Sequence, residues 1–456
     1  MQVKLPCLLV PSIAAALLFQ GCGRNAGTPN PSPIGLLTVS TVTPNYDKGL
    51  IGPYTLEDPL EFLDGRKVRS AKDWKQRRQE ILEIFQREMY GRMPDAPDTL
   101  ILDTFDEGVT LAGYGIRRQV AMWFREDRTG PRIDWLIVTP RHASGPVPCV
   151  MMLNYFGNQT ILKDAEVAVN HNWMRRDKRF EMDGHYLSGD DSRGFFVDQN
   201  KPTIYPLEML LARGYGFVTA CYADISPDPF PCHRDEKGEF AYTGVFDLWG
   251  QRDSERTDNT TSLGAWAWAL RRGMDMIEKD SLLCSGRVLL TGCSRLAKAA
   301  LIAGAFDERF PVVVPVQTGG GGCPIAKRIY GENISTQINT FTHWYCKAYD
   351  KYAGHEDQLT FDQHLFLSCI APRALLIEGF DDPWYDTEAE FIAIKAAAPV
   401  WKKLGYGTIP AVDWPDDYDT SAIGEHIGYV RRSEAHGISA YDWTWMLDFA
   451  DRQFKK

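Results

Sequence analysis

The chain has 456 residues, 44% hydrophobic and 24% charged, a mix that supports a large core and excludes a disordered or fibrous protein. Acids and bases are interspersed around a net charge of −10, with no basic stripe of the kind a nucleic-acid partner requires. Its 13 Trp suit carbohydrate surfaces, but core packing is the ordinary use of Trp and they decide nothing alone.

The chain opens on a short basic stretch, MQVK, followed by the apolar run Leu5–Phe19, too short for a stable membrane span. Gly21-Cys22 follows and resembles a bacterial lipoprotein cleavage site, with Phe19 where that pattern prefers Leu. Residues 1–22 therefore read as an export signal with Cys22 as the lipidated residue. Residues 23–55 read as a Gly/Pro/Ser/Thr-rich tether, and 56–456 as one folded domain. The expected location is the periplasm or outer membrane of a bacterium, with a lipid at Cys22 as the sole membrane contact. Eight further Cys follow Cys22 without a CxxC pair or zinc-ligand spacing, so no metal and no disulfide pairing is assigned.

Helical periodicity runs from Ser70 to a Gly-Arg-x-Pro stop at Pro94. Residues 109–125 and 132–139 alternate as strands, and Val147–Asn158 is an apolar run ending in a loop. Residues 159–200 show no period and read as a surface insertion. Residues 205–225 read helix, Gly turn, strand, and Ser262–Asp280 is a strong helix. Next come the strand and helix of VLLTGCSRLAKAALIAG (Val288–Gly304), the strand PVVVPVQ and the Gly-rich loop Thr318–Cys323. The last elements are the strand RALLIEG, a helix over Thr387–Leu404, a strand near 408–413 and a helix near 439–452. Strands alternating with helices predict a mostly parallel sheet covered on both faces, in the order of an α/β-hydrolase fold with loop insertions. Neither GxGxxG after a strand nor GxxxxGK[ST] occurs, so no dinucleotide or phosphate cofactor is expected.

Ser294 lies between a buried strand and a small-residue helix, where an α/β hydrolase places its nucleophile. Gly292 supplies the small residue two before it. Leu296 stands where the second Gly of GxSxG belongs, with Ala297 one later, so the motif fails as written and a helix N-cap is the competing role. Chain order favours the nucleophile. Asp381 and Asp382 follow a later strand, and His436 precedes the last helix, giving Ser, Asp, His in hydrolase order; His426 is the other His beyond the acids.

Gly292-Cys293-Ser294-Arg295-Leu296-Ala297-Lys298 is similar to the Gly-Cys-Ser-Arg-x-Gly-Lys hallmark of the glucuronoyl esterases, carbohydrate esterases of the α/β-hydrolase fold. The resemblance extends over roughly residues 70–452 through WAWALRRGMD, IAPRALL, DPWYD and HGISAYDW, with Ala297 replacing Gly. It implies Ser294 as nucleophile, His436 as base and Arg295 at the oxyanion. It also implies Lys298 and Glu332 on sugar hydroxyls and Trp384 as an aromatic wall. Many relatives carry a Glu 23 residues after the Ser. Here that residue is Gln317, which cannot offset an imidazolium by charge, so Asp382 is expected as the triad acid, Asp381 as next best, and Gln317 as pocket lining. The expected activity is a serine-type esterase, a monomer without cofactor, acting on (4-O-methyl-)glucuronate esters of glucuronoxylan or lignin–carbohydrate linkages. An acetyl xylan type esterase and a non-catalytic glycan-binding relative are the alternatives.

Overall fold

A nine-stranded sheet carries the described part of the chain. The computed structural model describes residues 43–170, 193–195, 204–229 and 240–455, and the backbone at 181–182 and 185–186. The export signal, most of the tether and most of the 159–200 insertion lie outside the described residues. From Thr43 onward these residues belong to one compact unit, Val39–Lys456.

The strands are β1 (Ile101–Thr110), β2 (Gly115–Trp123), β3 (Arg132–Pro140), β4 (Val147–Asn154), β5 (Gly216–Cys221), β6 (Leu283–Cys293), β7 (Val312–Val316), β8 (Ala374–Phe380) and β9 (Ile427–Arg432), arranged β1-β2-β3-β5-β4-β6-β7-β8-β9. The β1-β2-β3-β5 neighbours are antiparallel; from β5 to β9 every pair is parallel. This is the mostly parallel, α/β-hydrolase-type sheet that the alternation predicts.

Parallel strands are buried on both faces because helices cover both. Cys149, Met151 and Leu153 of β4 enter one core, while Val150 and Met152 enter the other. The first core packs against α1 (Ala71–Phe85), α2 (Ser262–Lys279) and α3 (Arg295–Phe306), the second against α5 (Ala440–Phe454). Both α1 and α5 start on capping boxes, Ser70 with Asp73 and Ser439 with Asp442, which satisfy otherwise orphaned N–H groups.

Three elements differ from the pattern reading. The strand over 109–125 is the end of β1, a turn at Leu111–Gly113 and β2, because Ala112 (φ 52°) and Gly113 (φ 98°) reverse the chain. The helix expected over Thr387–Leu404 stops at Ala397 as α4 (Thr387–Ala397), and Pro399, unable to donate to the preceding turn, opens a separate short helix. No strand forms at 408–413, where Pro410 lacks the ladder N–H; the edge strand is β9, whose Gly-interrupted IGYVRR lacks alternation.

The end of the expected tether is docked. Gly331 N–H donates to Asn45 O (2.9 Å), Lys48 pairs with Glu388 (2.8 Å), and Tyr46 meets Tyr330 edge-on at 6.4 Å.

Candidate active site

The parallel strands all point their C-terminal ends at one rim, and the singled-out residues other than His426 gather there. Ser294 follows the last residue of β6 and precedes the first of α3. Its φ of 57° and ψ of −127° are costly for a residue with a Cβ, on the order of 1–3 kcal/mol, so the surrounding structure must impose them. The hydroxyl makes no capping bond to α3, which removes the N-cap role. The backbone is held instead: Ser294 N–H donates to Val316 O at 3.0 Å, and Ser294 O accepts from Ala297 and Lys298.

Gly292 explains how a failed GxSxG still makes the turn. A Cβ there would lie 2.5 Å from Leu296 O and 2.9 Å from Ala297 N, because α3 folds directly back onto the strand. The close approach is to helix backbone, so position 296 tolerates a large side chain, and Leu296 is buried in the first core. Tyr155, in the loop after β4, braces the turn by donating to Cys293 O at 2.6 Å.

Arg295 is buried rather than solvated. Its guanidinium pairs with Asp228 and lies 4.7 Å from the Trp344 ring centre and 5.3 Å from that of Phe341. Asp228 also accepts from His343 Nε2 (2.7 Å) and Trp344 Nε1 (2.9 Å). Burial alone would raise the Asp228 pKa, but the Arg295 charge and these bonds hold it well below the usual carboxylate range. Arg295 Nε–H has no hydrogen-bond partner among the described residues. None of Asp228, His343, Trp344 or Tyr155 was singled out by sequence; no motif or spacing marks them.

Lys298 is one turn beyond Ser294 on α3, and its Nζ stands 3.8 Å from Glu332 Oε2 and 4.9 Å from the Trp344 ring centre. Burial lowers the Lys298 pKa and raises that of Glu332, each opposed by the other's charge. The pair is close enough to attract and too far apart for a hydrogen bond, so both heads keep capacity for a ligand hydroxyl. The Gly-rich loop serves this spot: Gly319 has φ 67°, and a Cβ there would sit 2.8 Å from Glu332 Oε2 and 3.1 Å from Tyr385. Half-buried Trp384 follows on the same rim and accepts from Glu332 N–H at 2.9 Å.

Where the sequence expectation put Asp382 beside the His436 imidazole, Nδ1 of that ring faces Gln317. Gln317 directly follows β7 with a positive φ of 53°, its N–H anchored on Glu378 O at 2.7 Å, and this turns its side chain onto the His436 loop. Gln317 Oε1 lies 2.7 Å from His436 Nδ1 and accepts from Gly437 N–H at 2.8 Å. A backbone N–H can only donate, so this atom must be the amide oxygen. Nδ1 facing it then carries the proton, and Nε2 is left with the lone pair a base needs. The Asp382 carboxylate folds back onto Trp384 N–H (2.9 Å); burial first, then Asp381, raises its pKa. Asp381 is exposed, 4.0 Å from Arg431. His426 precedes β9, at the opposite end of the sheet from the rim, beside Glu425 and Tyr406. Phe380 and Tyr385 wall the His436 ring at 5.3 and 5.0 Å between centres.

A family model described as glucuronyl esterase of fungi matches residues 228–405, a span that includes Ser294, Arg295, Asp228, Lys298, Glu332, Gln317, Asp382 and Trp384 but not Tyr155 or His436. Among characterised proteins, the chain is 34% identical to carbohydrate esterase MZ0003 of an unknown prokaryotic organism, over 89% of this chain and 91% of the relative. It is 27% identical to a 4-O-methyl-glucuronoyl methylesterase of Podospora anserina, over 89% of this chain and 71% of that one. Among solved structures it is similar to a promiscuous esterase of carbohydrate esterase family 15 from a marine bacterial metagenome, with a TM-score of 0.81, 34% identity and coverage of 90% of this chain and 100% of that one. A glucuronoyl esterase from Solibacter usitatus gives a TM-score of 0.80, 32% identity and the same coverage.

Proposed function

Because the chain belongs to the glucuronoyl esterase family of carbohydrate esterases, we propose that it hydrolyses esters of (4-O-methyl-)glucuronic acid, as in lignin–glucuronoxylan linkages. The observation that carries the substrate reading is the buried Lys298–Glu332 pair, held 3.8 Å apart beside the Ser294 turn. One donor, one acceptor and the flat face of Trp384 suit the hydroxyls and ring of a pyranose attached through its acyl carbon.

In this reading the Ser294 hydroxyl oxygen attacks the ester carbonyl while His436 Nε2 takes its proton. The carbonyl π electrons move to oxygen, and the resulting oxyanion faces the Arg295 N–H and guanidinium, whose charge Asp228 fixes in place. The intermediate collapses, the C–O bond to the alcohol breaks, and the imidazolium returns its proton to the departing alkoxide. Water, deprotonated by His436, then cleaves the glucuronoyl-serine ester and releases the acid. Gln317 keeps the imidazole in the required tautomer throughout.

Hydrolysis of benzyl glucuronate and of acetylated xylan by the purified protein tests the proposal. Turnover of the first well above the second is expected. Deacetylation alone would favour an acetyl esterase, and turnover of neither a glycan-binding role. Export of a monomer with acylated Cys22 as its mature N-terminus is part of the same proposal, supported by the apolar run before Gly21-Cys22. Mass spectrometry of the natively expressed protein, finding an unmodified N-terminus elsewhere, would refute that part.

A further inference from the structure

His436 sits in a short loop between β9 and α5, and loops of that kind wander unless their backbone is held. The side chain beneath this loop is Arg432, the last residue of β9, 1% exposed. Its Nη1 donates to Ala435 O at 3.1 Å and its Nη2 donates to Gly437 O, the carbonyls on either side of His436. Its Nε lies 2.8 and 3.0 Å from the two carboxylate oxygens of Asp442, on the first turn of α5, and Glu434 Oε2 is 3.3 Å from Nη1. Asp442 in turn accepts from Ser439 N–H as part of the α5 capping box.

From this geometry we infer that Arg432 is a positioning residue for His436. Its planar guanidinium fastens the carbonyls of the two residues flanking the histidine, Ala435 and Gly437, to the end of the sheet and to the start of α5. A fork of fixed donors can hold two carbonyls and a carboxylate at once; an ammonium cannot reproduce that plane. Gln317 holds the same loop from the other side, through Gly437 N–H and the imidazole itself. The backbone around His436 is thereby pinned at Ala435 and Gly437, and the imidazole is aimed rather than left to settle. Asp442 compensates the cation, so the clamp brings little net charge under the base.

The inference rests on the proposed serine-esterase reading, and its test is arranged to separate the two. Arg432→Lys keeps the charge and loses the fork; Arg432→Gln keeps one donor group. Each is compared with wild type for kcat and KM on benzyl glucuronate, for the rate at which a fluorophosphonate labels Ser294, and for the downfield proton resonance of the His436 Nδ1–H. Thermal unfolding is followed alongside. Arg432→Lys is expected to lower kcat and the labelling rate together, by about 10²-fold, as a displaced catalytic group does, with KM within about twofold and the Nδ1–H resonance broadened or lost. Asp442→Asn, which leaves both carbonyl bonds in place, is expected to lower thermal stability and keep kcat within about threefold. A folded Arg432→Lys with wild-type labelling rate and Nδ1–H resonance overturns the proposal. So does failure of both Arg432 variants to fold, since that assigns Arg432 to the fold alone. Should wild type label at Ser294 yet leave benzyl glucuronate intact, the substrate reading fails while the labelling rates still score the clamp.

Discussion

Replacing Gln317 by Glu separates two jobs that a triad acid performs together. The amide oxygen already orients the imidazole, because Gly437 N–H and His436 Nδ1–H both point at Oε1, at 2.8 and 2.7 Å. What the amide cannot do is offset the positive charge that His436 acquires during attack. A carboxylate at 317 would place its charge about 4 Å from the imidazolium centre, a gross attraction of about 4 kcal/mol at an effective dielectric constant near 20. Gln317 is fully buried, so desolvating the new charge takes back much of this; its two N–H donors recover a part. A net gain of about 1–2 kcal/mol remains in the transition state, or roughly 5- to 30-fold in kcat/KM. The same charge favours protonated His436 in the free enzyme, so the acid limb of the kcat/KM profile should move upward, by about one pH unit. Gln317→Leu, which removes the acceptor, should lose both orientation and tautomer control and cost on the order of 10²-fold or more. Asp382→Asn should cost less than Gln317→Leu, since its carboxylate is engaged with Trp384 N–H. Benzyl glucuronate hydrolysis between pH 4 and 9 measures all three. A folded Gln317→Glu with an unmoved acid limb, or Asp382→Asn more damaging than Gln317→Leu, would refute the reasoning and return the triad charge to Asp382.

Ser294→Ala and His436→Ala should each lower kcat by about 10⁴–10⁶ with unfolding midpoints near wild type, read on the same ester. Lys298→Ala and Glu332→Ala should weaken glucuronate esters by about 1.5–3 kcal/mol in kcat/KM while sparing small aryl acetates, and equal losses on both would assign the pair to the fold. Replacing the pair together, Lys298→Met with Glu332→Leu, should raise stability by roughly 1–4 kcal/mol in denaturant melts and abolish glucuronate selectivity, because two desolvated charges held apart burden the fold. Deleting residues up to Leu50 should raise KM for glucuronate esters more than it changes kcat, since Asn45 is bonded to Gly331 beside Glu332; unchanged KM would show that this segment only covers the surface.

Residues that chemistry demands at fixed chain offsets were legible. Ser294 and Lys298 are one helical turn apart, so a strand, a turn and a helix in sequence are enough to put both on one rim. Strand periodicity placed β4, β6, β7 and β8 because buried parallel strands are near-continuous apolar runs. Boundaries failed where one residue overrides its neighbours' propensity, as Pro399 does to a helix and Pro410 to a strand. The reading of residues 43–55 as loose tether rested on composition. That is blind to single long-range bonds such as Gly331 N–H to Asn45 O.

The partner of His436 Nδ1 was missed for a different reason. Sequence offers charge as the criterion for a triad acid, and by charge Asp382 wins over Gln317. The fold selects by direction, and direction here comes from one backbone torsion: the positive φ of Gln317, which turns a side chain at the end of β7 toward a loop over a hundred residues away. Asp228 was invisible for the same reason. It lies far along the chain from Arg295, His343 and Trp344, and acquires its role from burial among them. A buried carboxylate with a cation and two N–H donors stays ionised where an isolated one would not. On the proposed mechanism the site divides its electrostatics: permanent charge is set under the oxyanion, through Asp228 and Arg295, while the base is steered by a neutral amide. Charge stabilisation in that mechanism is concentrated on the oxyanion side of the transition state. That is why Arg295 and Asp228, rather than the partner of His436, should prove the more costly residues to alter.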